Sequence, residues 1–138
     1  MAIHQKTITL SQKPKGFHLI TEEIEEALFS MPSAETGLLH LFIKHTSASL
    51  SINENADPSV REVMENFFRD IADDKPYYIH TYEGLDDMPA HIKTSMLGSS
   101  LTIPITNGKM NLVTWQGIYL GEHRDYGGSR RIVVTLYG

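Results

Sequence analysis

Residues 101–114, LTIPITNGKMNLVT, carry the most specific fold signal in the chain. Two runs, Leu101 to Ile105 and Lys109 to Thr114, flank the dipeptide Asn107-Gly108. A tight hairpin loop requires positive φ at both central residues, which Asn and Gly tolerate best. The stretch therefore predicts an antiparallel strand pair. On its C-terminal side, Trp115 to Leu120 either continues the second strand or forms another, broken at Gly117. Arg130 to Tyr137 then reads as a last strand, reached through the polar loop EHRDYGGS.

On the N-terminal side lies Tyr78 to Gly98, YIHTYEGLDDMPAHIKTSMLG. Asp86 and Asp87 are candidate N-caps, Pro89 suits a first helical turn, and Gly98 suits the position beyond the last turn. These signals predict a helix from about Met88 to Leu97. Further upstream, Gly37 to Thr46 alternates Leu39, Leu41 and Ile43 with Leu38, His40, Phe42 and Lys44, which predicts a strand delivering His45 to its end. The following SASLSINENADP is rich in Ser and Asn, and Asp57-Pro58 predicts a helix start. In that helix, running to about Ile71, Val60, Met64, Phe67, Phe68 and Ile71 form the expected core stripe. At the start of the chain, Ala2 to Leu10 alternates as a strand, Pro14 and Gly16 break it, and Thr21 is the expected N-cap of a short helix buried through Ile20, Ile24, Ala27 and Leu28.

Strands outnumber helices, and helices interrupt the strands without alternating strictly with them. This pattern predicts an α+β fold, a mainly antiparallel β-sandwich with about three helices in a single domain spanning residues 1–138. The chain of 138 residues, 41% of them hydrophobic, is long enough to bury a core. A net charge of -5 argues against a nucleic-acid partner and against an anionic membrane surface. No apolar run approaches a membrane span, and the first ten residues are unlike a signal peptide, so a cytoplasmic protein is expected. There are no cysteines, so any metal must be held by His, Asp, Glu or water.

Three polar segments fall at expected strand or helix ends. The first joins His45-Thr46-Ser47 to Asn53-Glu54-Asn55. The second holds His80, Glu83 and His91, and a modest bend would bring its imidazoles and carboxylate together. The third is Glu122-His123-Arg124-Asp125 with Gly127-Gly128-Ser129-Arg130. Imidazole and carboxylate together serve metal binding or acid/base chemistry. Exposed backbone N–H groups and an Arg fork serve a phosphate. The same residues also suit a capped helix with surface histidines and an exposed loop. A Gly-x-Ser-x-Gly nucleophile elbow and a nucleotide-binding P-loop are both absent.

Four stretches together, HTSASLSINENADPSVR, HTYEGLDDMPAHIK, TWQGIYLGEH and GGSRR, resemble the signature segments of the YjbQ-like family, also labelled the secondary thiamine-phosphate synthase enzyme family. The resemblance covers nearly the whole chain. It implies a homotrimeric α+β sandwich with clustered histidines able to hold a divalent metal, and a weak thiamine-phosphate synthase activity. His45, His80 and His91 match the family's histidine positions, and Glu122 and Arg130 match its C-terminal polar positions. Val113 and His123 depart from the family pattern, which often places other residues there.

The expectation is a metal-assisted enzyme acting on a small phosphorylated substrate. His45, His80 and His91 are the expected ligands of a divalent metal, zinc on the strength of the imidazoles, or magnesium with a diphosphate substrate. Ser47, Lys93 and Arg130 are expected to bind phosphate, Glu83 or Glu122 to act as the catalytic carboxylate, and Trp115 with Gln116 to contact a ring. The alternatives are a metal-dependent phosphate-ester hydrolase and a trimeric protein that holds a small ligand without turnover.

Overall fold

The Asn107-Gly108 dipeptide does reverse the chain, with φ of 53° and 78° in the computed structural model, which describes Met1–Gly138. It joins β5 (Ser100–Thr106) to β6 (Lys109–Met110), with Thr106 opposite Lys109 and Ile105 opposite Met110. The second arm is shorter than its sequence suggests. Asn111 still donates its N–H to the Pro104 carbonyl of β5 at 2.8 Å, Leu112 to Thr114 leaves the ladder, and the next strand is the separate β7 (Gln116–Glu122). Gly117 does not break β7. It lies inside the strand, where a Cβ would meet Leu19 and Asn55 at 2.6 and 2.9 Å, so the close approach of neighbouring segments requires its missing side chain.

The remaining elements are β1 (Ile3–Thr9), β2 (Gly16–Leu19), α1 (Thr21–Phe29), β3 (Thr36–Ile43), β4 (Ala48–Glu54), α2 (Pro58–Ala72), α3 (Asp87–Leu97) and β8 (Arg131–Tyr137). Five strands form one antiparallel sheet in the order β1-β8-β3-β5-β6, and three form a second in the order β2-β7-β4. The α+β sandwich with three helices is thus present. Its core lies between the sheets, where Leu39, Leu41, Ile43, Ile103, Ile105, Val134 and Leu136 meet Ala48, Leu50, Ile118 and Leu120, with Ile24 and Leu28 of α1 closing one end.

Two strands lie in segments that gave no strand signal. β2 is only four residues long, and β4 falls in the Ser/Asn-rich SASLSINE. In β4, Ala48 and Leu50 face the core, while Ser49, Ser51 and Asn53 face away, towards the α2 and α3 side. Asp57 caps α2 as expected, accepting a hydrogen bond from Ser59 N at 2.9 Å. Thr21 does not cap α1, because its hydroxyl accepts from Ile118 N on β7 and Ile20 takes the cap position.

The expected core stripe of α2 is only partly realised. Phe67 and Ile71 are exposed, and Phe68 packs on Phe17 with ring centroids 6.0 Å apart. Neither α2 nor α3 contributes a residue to the main apolar cluster. They cover the outside of the three-stranded sheet through a polar seam, in which Lys93 of α3 is wholly buried 2.9 Å from Asp73. The opposite surface, the outer face of the five-stranded sheet, is covered by no helix.

Candidate metal centre and adjoining groove

α3 begins at Asp87, one residue ahead of the expected start; its first turn carries Asp87 and Pro89, and His91 opens the second. Residues four apart share a helix face, so Asp87 and His91 are neighbours by construction. The segment before α3 folds back and brings in His80. A single oxygen, Asp87 Oδ2, lies 2.9 Å from His80 Nε2 and 3.0 Å from His91 Nε2, and the two rings are 5.4 Å apart. Asp87 is buried, His91 partly buried and His80 exposed.

The hydrogens at this site follow from the partners. His91 Nδ1 donates to the Thr46 carbonyl at 2.8 Å, because a carbonyl can only accept. A neutral His91 then presents a lone pair at Nε2, aimed at a carboxylate oxygen. Two acceptors face each other, so the contact requires a proton on Nε2 or a cation shared between the atoms. Burial, the largest influence on Asp87, pushes its carboxyl up. The His80 hydrogen bond, the neighbouring His91 and Arg124, and the His91 hydrogen bond outweigh it and hold the group below its ordinary value of 3.8. Asp87 is therefore anionic at neutral pH.

The donor set fits a divalent transition metal. All three ligand atoms lie within 4.8 Å of one another. Zinc bonds of ~2.0–2.1 Å in a tetrahedron separate neighbouring donors by about 3.3 Å, a few tenths more than the two contacts here. Two imidazoles and a carboxylate also leave coordination positions for water or substrate, as catalytic sites do.

His91 stands at the rim of a groove between the end of β3, the start of β4 and the C-terminal half of α3. Thr46, Ser47, Ser95 and Ser99 line it with hydroxyls, and His45 and Arg130 complete it. Arg130 is nearly buried and held in a two-point clasp by Glu122, Nε to Oε1 at 2.7 Å and Nη2 to Oε2 at 2.6 Å. Its Nη2 also donates to the Ser47 carbonyl. Only Nη1 is uncommitted to Glu122, and it lies 3.4 Å from His45 Nδ1. His45 Nε2 accepts from Arg131 N at 2.9 Å. Burial, then the charges of Arg130 and Arg131, lower the pKa of His45 below 6.5, so its ring is neutral at pH 7.

The structure thus brings His80 and His91 together with Asp87, while His45 lines the same groove with Nε2 already committed to Arg131. Glu122 is fully buried as the partner of Arg130, and Glu83 is exposed beside Arg124. Lys93 points away from the groove into the α2–α3 seam. Trp115 and Gln116 lie at the far end of β7 from Glu122, six residues or about 20 Å along the strand. Asp87 is the candidate ligand that spacing alone did not select. The signal was its i,i+4 relation to His91, hidden behind its equally good reading as an N-cap.

The profile of the family described as UPF0047 protein YjbQ-like matches residues 6–138. The chain belongs to the YjbQ-like family. Its YjbQ-like relatives include a UPF0047 protein YjbQ of Salmonella typhimurium, 58% identical over 135 residues and 98% of both chains. A UPF0047 protein of Synechocystis is 41% identical over 98% of this chain and 92% of its own length. Among solved structures, a YjbQ-like protein of unknown function from Sulfolobus solfataricus superposes with a TM-score of 0.88 over 99% of this chain and 98% of its own, at 22% identity, a likeness of fold. A hypothetical protein from Aeropyrum pernix gives 0.83 at 26% identity, covering 100% of this chain and 99% of its own. The YjbQ-like membership accounts for the sandwich.

Proposed function

We propose that this protein is a divalent-metal-dependent enzyme acting on a small phosphate ester in the groove beside His91. The observation that carries the reading is the convergence of His80 Nε2 and His91 Nε2 on one oxygen of Asp87 next to a groove containing an arginine. His80, Asp87 and His91 would hold the metal, which supplies Lewis-acid charge neutralisation and acidifies water. Arg130 Nη1 would meet a phosphoryl oxygen, with Glu122 fixing the guanidinium and the hydroxyls of Thr46, Ser47 and Ser99 offering further hydrogen bonds. His45 would stay neutral and keep the entrance to β8 in place. Hydrolysis is the form this groove supports most directly. The thiamine-phosphate synthase-like transfer also needs a ring platform, and within one chain Trp115 stands at the other end of β7.

Metal analysis of untagged protein, wild type and Asp87→Ala, tests the proposal together with phosphate release from simple aryl and alkyl esters. About one zinc or similar ion per chain, lost in the variant, with metal-dependent phosphate release, is expected. Absence of metal after incubation with zinc, manganese and cobalt overturns it. Tight retention of an unchanged phosphorylated ligand by metal-loaded protein would favour the binding role.

We also propose that copies assemble as the homotrimer that the resemblance implies, and that they do so through the outer face of the five-stranded sheet. Ile3, Tyr137, Leu38 and Pro104 fall in register across four adjacent strands of that face. Each is exposed. A contiguous apolar row of this kind is unusual on a free surface.

A further inference from the structure

Asp87 has two oxygens, and the imidazoles use only one. Its Oδ1 lies 3.5 Å from Arg124 Nη1. The same guanidinium is 3.6 Å from Asp86 Oδ1 and 3.7 Å from Glu83 Oε2, and its Nη2 donates to the Glu83 carbonyl. Asp125, the next residue, donates its backbone N–H to Asp86 Oδ2 at 2.8 Å. Between these contacts the chain turns at Gly84, whose φ of 113° suits a residue without a side chain. Arg124 therefore gathers three carboxylates and one carbonyl from the segment that delivers His80 to the centre. That segment has no helix or strand of its own, and Ile79, Tyr82 and Leu85 in it are exposed.

Resting on the metal-centre reading above, we infer that Arg124 is a positioning residue of that centre, fixing Asp87 as a one-oxygen ligand and tying the His80 segment to the β7–β8 loop. Its charge opposes the mutual repulsion of Glu83, Asp86 and Asp87, which would otherwise open the turn. Its place at Oδ1 also blocks two-oxygen coordination by Asp87. Compact imidazole-rich coordination suits zinc, whereas calcium favours more oxygen donors, including bidentate carboxylates. Arg124 thus sets both affinity and metal choice. A lysine at this position would carry the charge but could not span Asp87 and the Glu83 carbonyl with a planar fork.

Calorimetric titration of metal-free, untagged protein with zinc and, separately, with calcium tests this in wild type, Arg124→Ala and Arg124→Lys. The side chain lies outside the apolar core, and circular dichroism would establish that each variant is folded. Expected is a fall in zinc affinity of about 10–100-fold in Arg124→Ala, the usual effect of losing a partner that orients a ligand. Arg124→Lys should be intermediate, and the zinc-to-calcium affinity ratio should drop in both variants. Cleavage of the metal-free alanine variant by chymotrypsin after Tyr82 should also accelerate. Equal zinc affinity and an equal zinc-to-calcium ratio in wild type and Arg124→Ala overturn the inference and leave the metal centre standing. A wild type that takes up no zinc overturns the metal centre, and the inference with it.

Discussion

His123 shows how strongly single positions here depend on protonation. It is 1% exposed, its Nε2 is 2.8 Å from Ser49 Oγ, and its ring meets the edge of Phe17. Burial, followed by the charges of Lys93, Arg130 and Lys15, lowers its pKa from 6.5 to about 3. Between those values the unfolded chain binds a proton that the folded chain refuses, so stability rises with pH across the window. The contribution is complete above pH 6.5 and is lost as pH falls towards 3. At about 1.4 kcal/mol per unit it is on the order of 4–5 kcal/mol. Denaturant midpoints of the wild type should therefore fall steeply between pH 6.5 and 4, and His123→Gln should flatten that fall. An identical acid limb in both proteins would show that the buried ring is not responsible. The sequence marked His123 as a departure from its family but could not reveal its enclosure, which depends on Gly121. A Cβ there would lie 2.4 Å from Ser49 Oγ and 2.8 Å from the imidazole.

At the scale of elements, the hairpin loop offers the cleanest test, because its cost is local. Gly108 holds φ at 78°, a region that costs an L-residue about 1–2 kcal/mol. Gly108→Ala should lower stability by about 1 kcal/mol in denaturant melts with the fold retained, and no change would mean that the turn relaxes freely. This loop was legible because its chemistry lies in two adjacent residues. The α3 boundaries were legible for the same reason, with Gly98 at φ 104° ending the helix as read. β4 was not, although Ala48, Leu50 and Ile52 alternate, because Ser49, Ser51 and Asn53 made the segment look like a loop. Their polarity matches the seam that covers them. The candidate metal centre was legible in part. His80 and His91 could be placed near each other from the helix start, but the choice of Asp87 over Glu83 depends on a backbone fold that no spacing specifies.

At the scale of the molecule, the two faces of the sandwich are treated differently. Helices shield one, and the other presents the row of Ile3, Tyr137, Leu38 and Pro104. Light scattering on the purified protein should give about three times the chain mass of 15.6 kDa. Leu38→Glu should shift the protein towards single chains without loss of secondary structure, since the side chain is 48% exposed in one chain. A wild type that runs as a single chain at high concentration would refute the assembly. No helix is long and apolar enough to cross a membrane.

The polar seam under α2 and α3 has a further consequence. Ser51 Oγ and both carboxylate oxygens of Glu65 are buried there without a hydrogen-bond partner, and burial raises the Glu65 pKa. A layer attached through such groups is held less firmly than the apolar interior, so it should detach first, as a unit, while the strands stay paired. Amide deuterium uptake should thus be fast in residues 58–97 and slow in β3, β7 and β8. Two of the candidate ligands, Asp87 and His91, ride on that layer, and His80 lies in the segment that joins its helices. Closing an ion between them would add the same binding free energy to this partial opening and to global unfolding. Because the two helices exchange through the lower-energy opening, occupancy would be seen first in their deuterium uptake, as fast amides turned slow, while the strands, already slow, became slower by the same factor.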